Sequence, residues 1–303
     1  MTDLIRKLFV AGCFSMMIST AMHAQDLEPR SYAVVPKGLH AAALALTYSS
    51  GNIVTEGSSP LQNLDVTNKL ISAAYVQTFG LFNKLARVSA SLPYGFLNGT
   101  ADFHGVDTSA SRTGFYDGRI KFGVNLLGSP LMTPAEFQKF QEHTVLGVSM
   151  VMSVPVGQYY PSKLVNLGSN RWGFKPEIGF SHGEGRTFFE MYTGVWFYTN
   201  NGQYFNGHSL DQKPAFTFQA HVDYTFKHGK YIAFNGGFSA GGETAIDGSE
   251  QGDEQRNWRL GVTWSMPIFN KHQSIKFMVN TGVATRAGQN YTAITLVYQY
   301  SWF

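Results

Sequence analysis

Two stretches of alternating residues constrain this chain more than any other feature. In the first, Trp172, Phe174, Pro176, Ile178 and Phe180 alternate with Arg171, Gly173, Lys175, Glu177, Gly179 and Ser181. In the second, Phe189, Met191, Thr193, Val195 and Phe197 alternate with Glu190, Tyr192, Gly194, Trp196 and Tyr198. A period of two places one set on each side of a β-strand. The link between them, His182 to Arg186, is short and polar. The segment before them, Val156 to Asn170, is long, irregular and rich in Gly and Asn. A hairpin with a tight turn at one end and a long loop at the other is the repeat unit of a membrane barrel.

The rest of the chain repeats it. Alternation and turn residues predict twelve strands, near 40–48, 70–79, 85–94, 117–126, 144–154, 172–181, 187–199, 214–224, 231–240, 257–266, 273–283 and 291–302. Each has the length that a tilted transmembrane strand needs, about 9–11 residues. The first two alternate least cleanly. The links after strands 2, 6, 8 and 10 are short; those after strands 1, 3, 5, 7 and 9 are long, which is the outer-membrane pattern. The link after strand 4 breaks it. There Thr133 as N-cap, Pro134 at the first turn and Glu136 three residues on predict a short helix over 133–140, with Phe137 and Phe140 on one face. An even strand count returns the chain to its starting side. Closure is required, because in lipid an open sheet edge leaves a row of backbone groups unpaired.

Charge and composition agree. Charged residues are only 14% and aromatics 15%, against about 25% charge in soluble domains. Arg119, Lys121, Lys175, Glu177, Glu190, Arg259 and Lys276 all fall opposite the apolar rows, as does His221. A Lys or Arg on the lipid face costs about 2–4 kcal/mol at mid-bilayer, so this row faces the lumen. A secreted two-sheet sandwich would also alternate. The bulk of the apolar-face residues, the long and short loops, and the aromatic terminus Tyr300-Ser301-Trp302-Phe303 favour the barrel. Such terminal aromatics resemble the signal read by the barrel-assembly machinery, although Trp302 rather than Phe303 is in phase with the apolar row.

Residues 1–24 read as a signal peptide. Arg6 and Lys7 precede an apolar core over Leu8–Ile18, and Met22-His23-Ala24 offers a cleavage site. Val10-Ala11-Gly12-Cys13 also reads as a lipobox, which would lipidate Cys13, the single cysteine. Cleavage after Ala24 leaves residues 25–303 as one all-β domain, a single antiparallel transmembrane barrel, with no disulfide. The segment Asp26–Gly38, with Pro29 and Pro36, fits either the periplasm or the barrel mouth. The nine His residues show no metal spacing, and no cofactor is expected. The net charge of +3 carries no nucleic-acid message.

Pro155-Val156-Gly157-Gln158-Tyr159, Asn166-Leu167-Gly168-Ser169-Asn170-Arg171-Trp172 and Lys175-Pro176-Glu177-Ile178-Gly179 resemble the family known as the MetA pathway of phenol degradation. Asp26 to Tyr32, Leu92-Pro93-Tyr94, Asp117 and Asn125 to Pro130 fit the same pattern. The resemblance implies an outer-membrane barrel of a Gram-negative bacterium, described as a transporter, and uptake of aromatic or other hydrophobic solutes.

A barrel of about twelve strands has a narrow, partly obstructed lumen. Arg119, Lys121, Asn170, Arg171, Lys175, Glu177, Glu190, His221, Arg259 and Lys276 are the candidate solute pathway. Lys175, Glu177 and Glu190 are placed to pair across neighbouring strands, either as a structural network or as a selective constriction. Asn166–Trp172, where a loop enters the barrel, is either functional or a loop packing its own asparagines. Two further readings stay open. One is an outer-membrane lipid-modifying enzyme using His221, Asp223 and a hydroxyl such as Ser265 or Thr217; the other is a non-conducting structural barrel. The five acidic residues between Glu243 and Glu254 read as a solvated outer loop or a divalent-ion site bridging lipopolysaccharide. Lipids and lipopolysaccharide are the remaining expected partners.

Overall fold

The structure, a computed structural model, describes residues 27–54, 61–103, 105–269 and 272–303. The predicted signal peptide and Cys13 lie outside these. Seventeen strands follow in order. The first half holds β1 (His40–Val54), β2 (Leu61–Leu81), β3 (Lys84–Phe103), β4 (Val106–Phe115), β5 (Gly118–Leu127), β6 (Thr144–Val154), β7 (Gly173–Glu184) and β8 (Thr187–Tyr198). The second holds β9 (Asn201–Tyr204), β10 (His208–Gln212), β11 (Ala215–Thr225), β12 (Tyr231–Gly241), β13 (Thr244–Ile246), β14 (Ser249–Glu250), β15 (Gln255–Pro267), β16 (Gln273–Ala284) and β17 (Gly288–Trp302). A helix, α1, covers Pro134–Phe137.

Pairing runs β2-β1-β17-β16-β15-β12-β11-β8-β7-β6-β5-β3, and β2 also pairs with β3. The sheet is therefore closed. β5 pairs with the lower part of β3 (Ala86–Ser91) and β4 with its upper part (Tyr94–Phe103). The two share one position in the wall, interrupted at Tyr116–Asp117, so the barrel has twelve. All neighbours are antiparallel. Among the described residues no helix is long and apolar enough to cross a membrane; the crossing is made by strands.

The outer face is apolar and uncovered. Ile178, Phe234 and Leu260 are 52%, 60% and 54% exposed, which would be costly in water at about 25 cal/mol per Å². The inner face is polar: Lys175, Glu177, Glu190, His221, Arg259 and Lys276 are all buried. This excludes the sandwich, whose buried face would be the apolar one.

β1 and β2 alternate weakly for a physical reason. Their inward residues, including Ala41, Ala43, Ala45 and Val76, are themselves apolar and pack with Ala33, Val35 and Leu39. Residues 27–39, ahead of the first strand, thus lie inside the barrel, against this wall, and not in the periplasm.

Three loop expectations change. The link after the third predicted strand is a hairpin, because β3 runs on to Phe103 and β4 returns along it. The links after the predicted seventh and ninth strands carry β9, β10, β13 and β14, which form a second sheet at the outer end. At the periplasmic end the turns are tight; Gly185 takes φ 62° to enter one of them. The helix is shorter than predicted. Its capping box is formed, with Thr133 N donating to Glu136 Oε2 at 2.8 Å.

Candidate functional site

The lumen is occupied by the protein's own residues 27–39. The backbone of this plug is held by wall side chains. Arg87 Nη1 and Nη2 donate to the carbonyls of Ser31 (2.6 Å) and Ala33 (2.8 Å). Asn125 Nδ2 donates to the Tyr32 carbonyl at 3.0 Å. Tyr32 sits at the centre. Its hydroxyl meets Ser149 Oγ (2.8 Å) and donates to Glu177 Oε1 (3.1 Å). Its ring lies on two glycines that face each other across the β6–β7 ladder, Gly147 and Gly179. A Cβ on Gly179 would stand 2.0 Å from the ring, and one on Gly147 2.3 Å. Neither position tolerates a side chain while Tyr32 is seated.

Arg30 anchors the inner end. Its Nε lies 3.4 Å from Asp223 Oδ2, its backbone N–H donates to Glu190 Oε2 at 2.5 Å, and Nη2 donates to Thr225 Oγ1. The rings of Phe188 and Tyr231 sandwich the guanidinium at 4.9 and 4.3 Å. Paired charge of this kind is how buried carboxylates are tolerated. From outside the membrane, α1 closes the floor: Phe137 packs with Tyr32, Val34, Met132, Val145 and Tyr192. In the same loop Glu142 Oε2 accepts the Val34 N–H at 3.1 Å. Burial pushes the Glu142 carboxyl up to about 7, against the opposing pull of that N–H and of Arg30 and Arg87.

The predicted pathway residues divide into three places. Lys121 and Lys175 converge on Glu177, at 3.1 and 2.6 Å. Glu190 does not join them, contrary to expectation; its carboxylate is taken by the Arg30 backbone. Arg119, above this cluster, lies 5.8 Å from the Trp196 ring. With Glu28 and Ser89, these residues line a space of ≈ 50 Å³ beside the plug. His221, Arg259 and Lys276 stand further round the wall, on β11, β15 and β16. His221 Nδ1 meets Asn235 Oδ1 at 2.8 Å, not Asp223, and Arg259 Nη2 donates to the Tyr291 carbonyl at 3.1 Å. The hydroxyls weighed as nucleophiles donate to backbone: Ser265 to Ile275 O and Thr217 to Gly194 O. No hydrolytic constellation is assembled from these groups.

Asn170 and Arg171 belong to the loop between β6 and β7, which folds over the outer mouth. Asn170, at φ 52°, donates to Asn201 Oδ1 at 2.9 Å, and Arg171 donates to Gln212. Asn166 accepts the Tyr160 N–H and donates to the Tyr160 and Lys163 carbonyls. Asn166 therefore closes its own turn, as one of the two readings held. The loop is fixed where strand β4/β5 breaks. Asp117 accepts from Gly157 N (3.0 Å), Ser169 N (2.8 Å) and Ser169 Oγ (2.5 Å). Gly157 and Gly168 pass so closely that a Cβ on either would meet the other's backbone within 2.8 Å.

This arrangement leaves the wall incomplete. β3 is the one strand that β4 pairs with among the described residues, and the loop fills the other side, with Gln158 N–H donating to Phe115 O at 2.8 Å. Between β2–β4, β17 and the loop lies a cavity of ≈ 580 Å³, within the range of small-molecule sites. Leu64, Val66, Leu97, Val165, Leu167 and Phe205 give it apolar walls. Leu167 packs into Val66, Leu70, Leu97 and Tyr116 and closes it below; Tyr116 OH donates to Asn68 Oδ1 at 2.8 Å. Sequence reading found the loop but not the cavity, nor Asp117's role in building it.

A closed barrel with an apolar exterior, a polar interior and short turns on the side of the termini defines an outer-membrane β-barrel protein. Residues 47–300 match the family described as "Putative MetA-pathway of phenol degradation", and the chain belongs to that family. In fold it is similar to an outer-membrane channel from Pseudomonas putida F1, with a TM-score of 0.78 at 18% identity, covering 91% of this chain and 100% of that one. It is also similar to the transport unit of the autotransporter AIDA-I from Escherichia coli, with a TM-score of 0.50 at 9% identity, covering 99% and 98%. No curated protein sequence matches the chain.

Proposed function

We infer that this barrel is a passive outer-membrane channel for small hydrophobic or aromatic solutes, taken up through the cavity at its outer mouth. The observation that carries the reading is the contrast between two interior spaces. The polar lumen holds residues 27–39, and the space beside them lined by Arg119, Lys121, Lys175 and Glu177 measures ≈ 50 Å³. The apolar cavity holds ≈ 580 Å³ and is walled by leucine, valine and phenylalanine. A hydrophilic solute meets a plug; an apolar one meets a site of its own size. The predicted row of Lys121, Lys175 and Glu177 then acts on what passes the plug, not on what is first captured.

The test compares cells carrying and lacking the protein for uptake of a labelled monoaromatic such as toluene. Liposome swelling with sugars is measured in parallel. Faster toluene uptake with little sugar permeation is expected. Rapid sugar permeation, or toluene uptake independent of the protein, would overturn the reading.

A further inference from the structure

The cavity has a charge asymmetry that a site for purely neutral solutes does not require. On the β2–β4 extension, register places Leu97, Gly99 and Ala101 opposite Arg112, Ala110 and Thr108. This is the row that lines the cavity. The carboxylates of the same extension, Asp65, Asp102 and Asp107, fall on the other face: Asp65 opposes Thr100, and Asp102 opposes Asp107. Alternation therefore sorts the charges, with acids outward and Arg112 inward. The second charged residue lining the cavity is also a cation, Lys163 of the loop. No Asp or Glu lines it among the described residues. Arg112 is held in place: Nε donates to Val165 O at 2.9 Å and Nη1 to Ser111 O at 2.8 Å. A guanidinium fixed at the rim of an apolar pocket recognises carboxylate geometry. The same sign recurs inside, where Arg119, Lys121 and Lys175 line the residual space with Glu28 and Glu177.

We propose that the cavity selects amphipathic acids, an apolar chain or ring bearing one carboxylate, over neutral molecules of the same apolar bulk. The apolar portion fills the pocket between Leu97, Val165 and Leu167, and the carboxylate sits against Arg112 with Lys163 beside it. The proposal rests on the cavity being the solute site, and adds the head group to it.

Binding of labelled octanoate and octanol to the protein in lipid nanodiscs tests this, with counts from empty nanodiscs subtracted. One charge-assisted hydrogen bond corresponds to a preference of about tenfold or more for octanoate. Arg112→Gln removes the preference and leaves octanol binding in place, whereas Arg112→Lys keeps part of it. Raising the salt concentration weakens octanoate and not octanol. Leu97→Asn weakens both. Heat-modifiable migration on gels confirms that each variant is folded. Should Arg112→Gln distort the loop it holds, Lys163→Gln provides the second reading, a smaller loss confined to octanoate. Equal binding of the two ligands, both lost in Leu97→Asn, overturns the acid preference and leaves the apolar site standing. Binding indifferent to Leu97→Asn overturns the site itself.

Discussion

Replacing Tyr32 with alanine isolates the bond between plug and barrel. Tyr32 is buried to 1% exposure, its ring seated on Gly147 and Gly179 and its hydroxyl on Ser149 and Glu177. Truncating a buried aromatic to alanine costs about 3–5 kcal/mol. Water entering the vacated lumen returns part of this, so about 3 kcal/mol is a fair figure. At 1.4 kcal/mol per decade, the ratio of undocked to docked plug rises roughly a hundredfold. Single-channel recording in planar bilayers reads this as a rise in open fraction. Gly179→Ala gives the same result by another route, since its Cβ would stand 2.0 Å from the ring. The decisive measurement is the double variant. With Tyr32 already alanine, a methyl on Gly179 has nothing to displace, and its effect vanishes. Additive effects, or an open fraction unchanged in Tyr32→Ala, would refute the claim that this seat holds the plug.

Other perturbations read other contacts. Arg30→Ala leaves Asp223 and Glu190 without their cation and raises the open fraction at least as far as Tyr32→Ala, measured in the same recordings. The Glu142 carboxyl, raised to about 7 by burial, faces Arg30, Arg87, Asp223 and the Val34 N–H. Its contribution to docking is full below its ordinary value of 4.5 and is lost as pH rises through about 7. The open fraction therefore increases from roughly pH 5 to pH 8, and Glu142→Gln flattens that rise. Asp117→Ala removes the acceptor for Gly157 and Ser169 and exposes the loop to limited proteolysis in intact cells, with the barrel still resisting sodium dodecyl sulfate unheated. Leu260→Arg, on the lipid face, lowers unfolding stability in urea by about 2–4 kcal/mol near mid-bilayer, whereas the same change at an inward position costs less.

The wall was legible in the sequence because its surroundings are simple. Lipid outside and water or polar chain inside impose one rule on every strand, and Trp172–Phe180 or Trp258–Met266 obey it. Where the surroundings differ, the rule fails in a readable way. The inward row of β1, Ala41-Ala43-Ala45, is apolar because Ala33, Val35 and Leu39 lie on it. The hairpin 94–115 escaped because its inward row mixes Leu97 and Ala101 with Gly99, Thr108 and Arg112, so a period of two carries little contrast against the Ser, Thr, Asn and Asp of the other face. The plug has no period at all. Its signal was distributed over other strands: Gly147 and Gly179 in inward rows where bulkier side chains are the norm, and Glu190 with Asp223, two inward carboxylates in need of a cation. Arg30 supplies it, its guanidinium at Asp223 and its backbone N–H at Glu190, 160 positions away in sequence, a separation that local pattern cannot bridge.

The distribution of bonds also separates what is fixed from what can move. Between barrel strands the holding contacts are backbone ladders, such as the fifteen paired positions from His40↔Trp302 to Val54↔Gly288. Breaking one strand out leaves a row of unsatisfied groups in lipid, at several kcal/mol each. The plug and the β6–β7 loop are held largely by side chains instead: Arg87, Asn125 and Glu142 for one, Asp117 and Asn201 for the other. Each such bond is worth about 1–3 kcal/mol and can be exchanged for water in the lumen or outside it. Displacement therefore costs least in these two segments, and the loop lies where β4 has no second strand neighbour. On the proposed function, a solute arriving from the outer face meets a part of the wall whose displacement breaks no transmembrane ladder. The candidate pathway residues on β5 and β7, Lys121, Lys175 and Glu177, stand on the rigid sheet, and a displacement of the plug or the loop leaves their spacing unchanged.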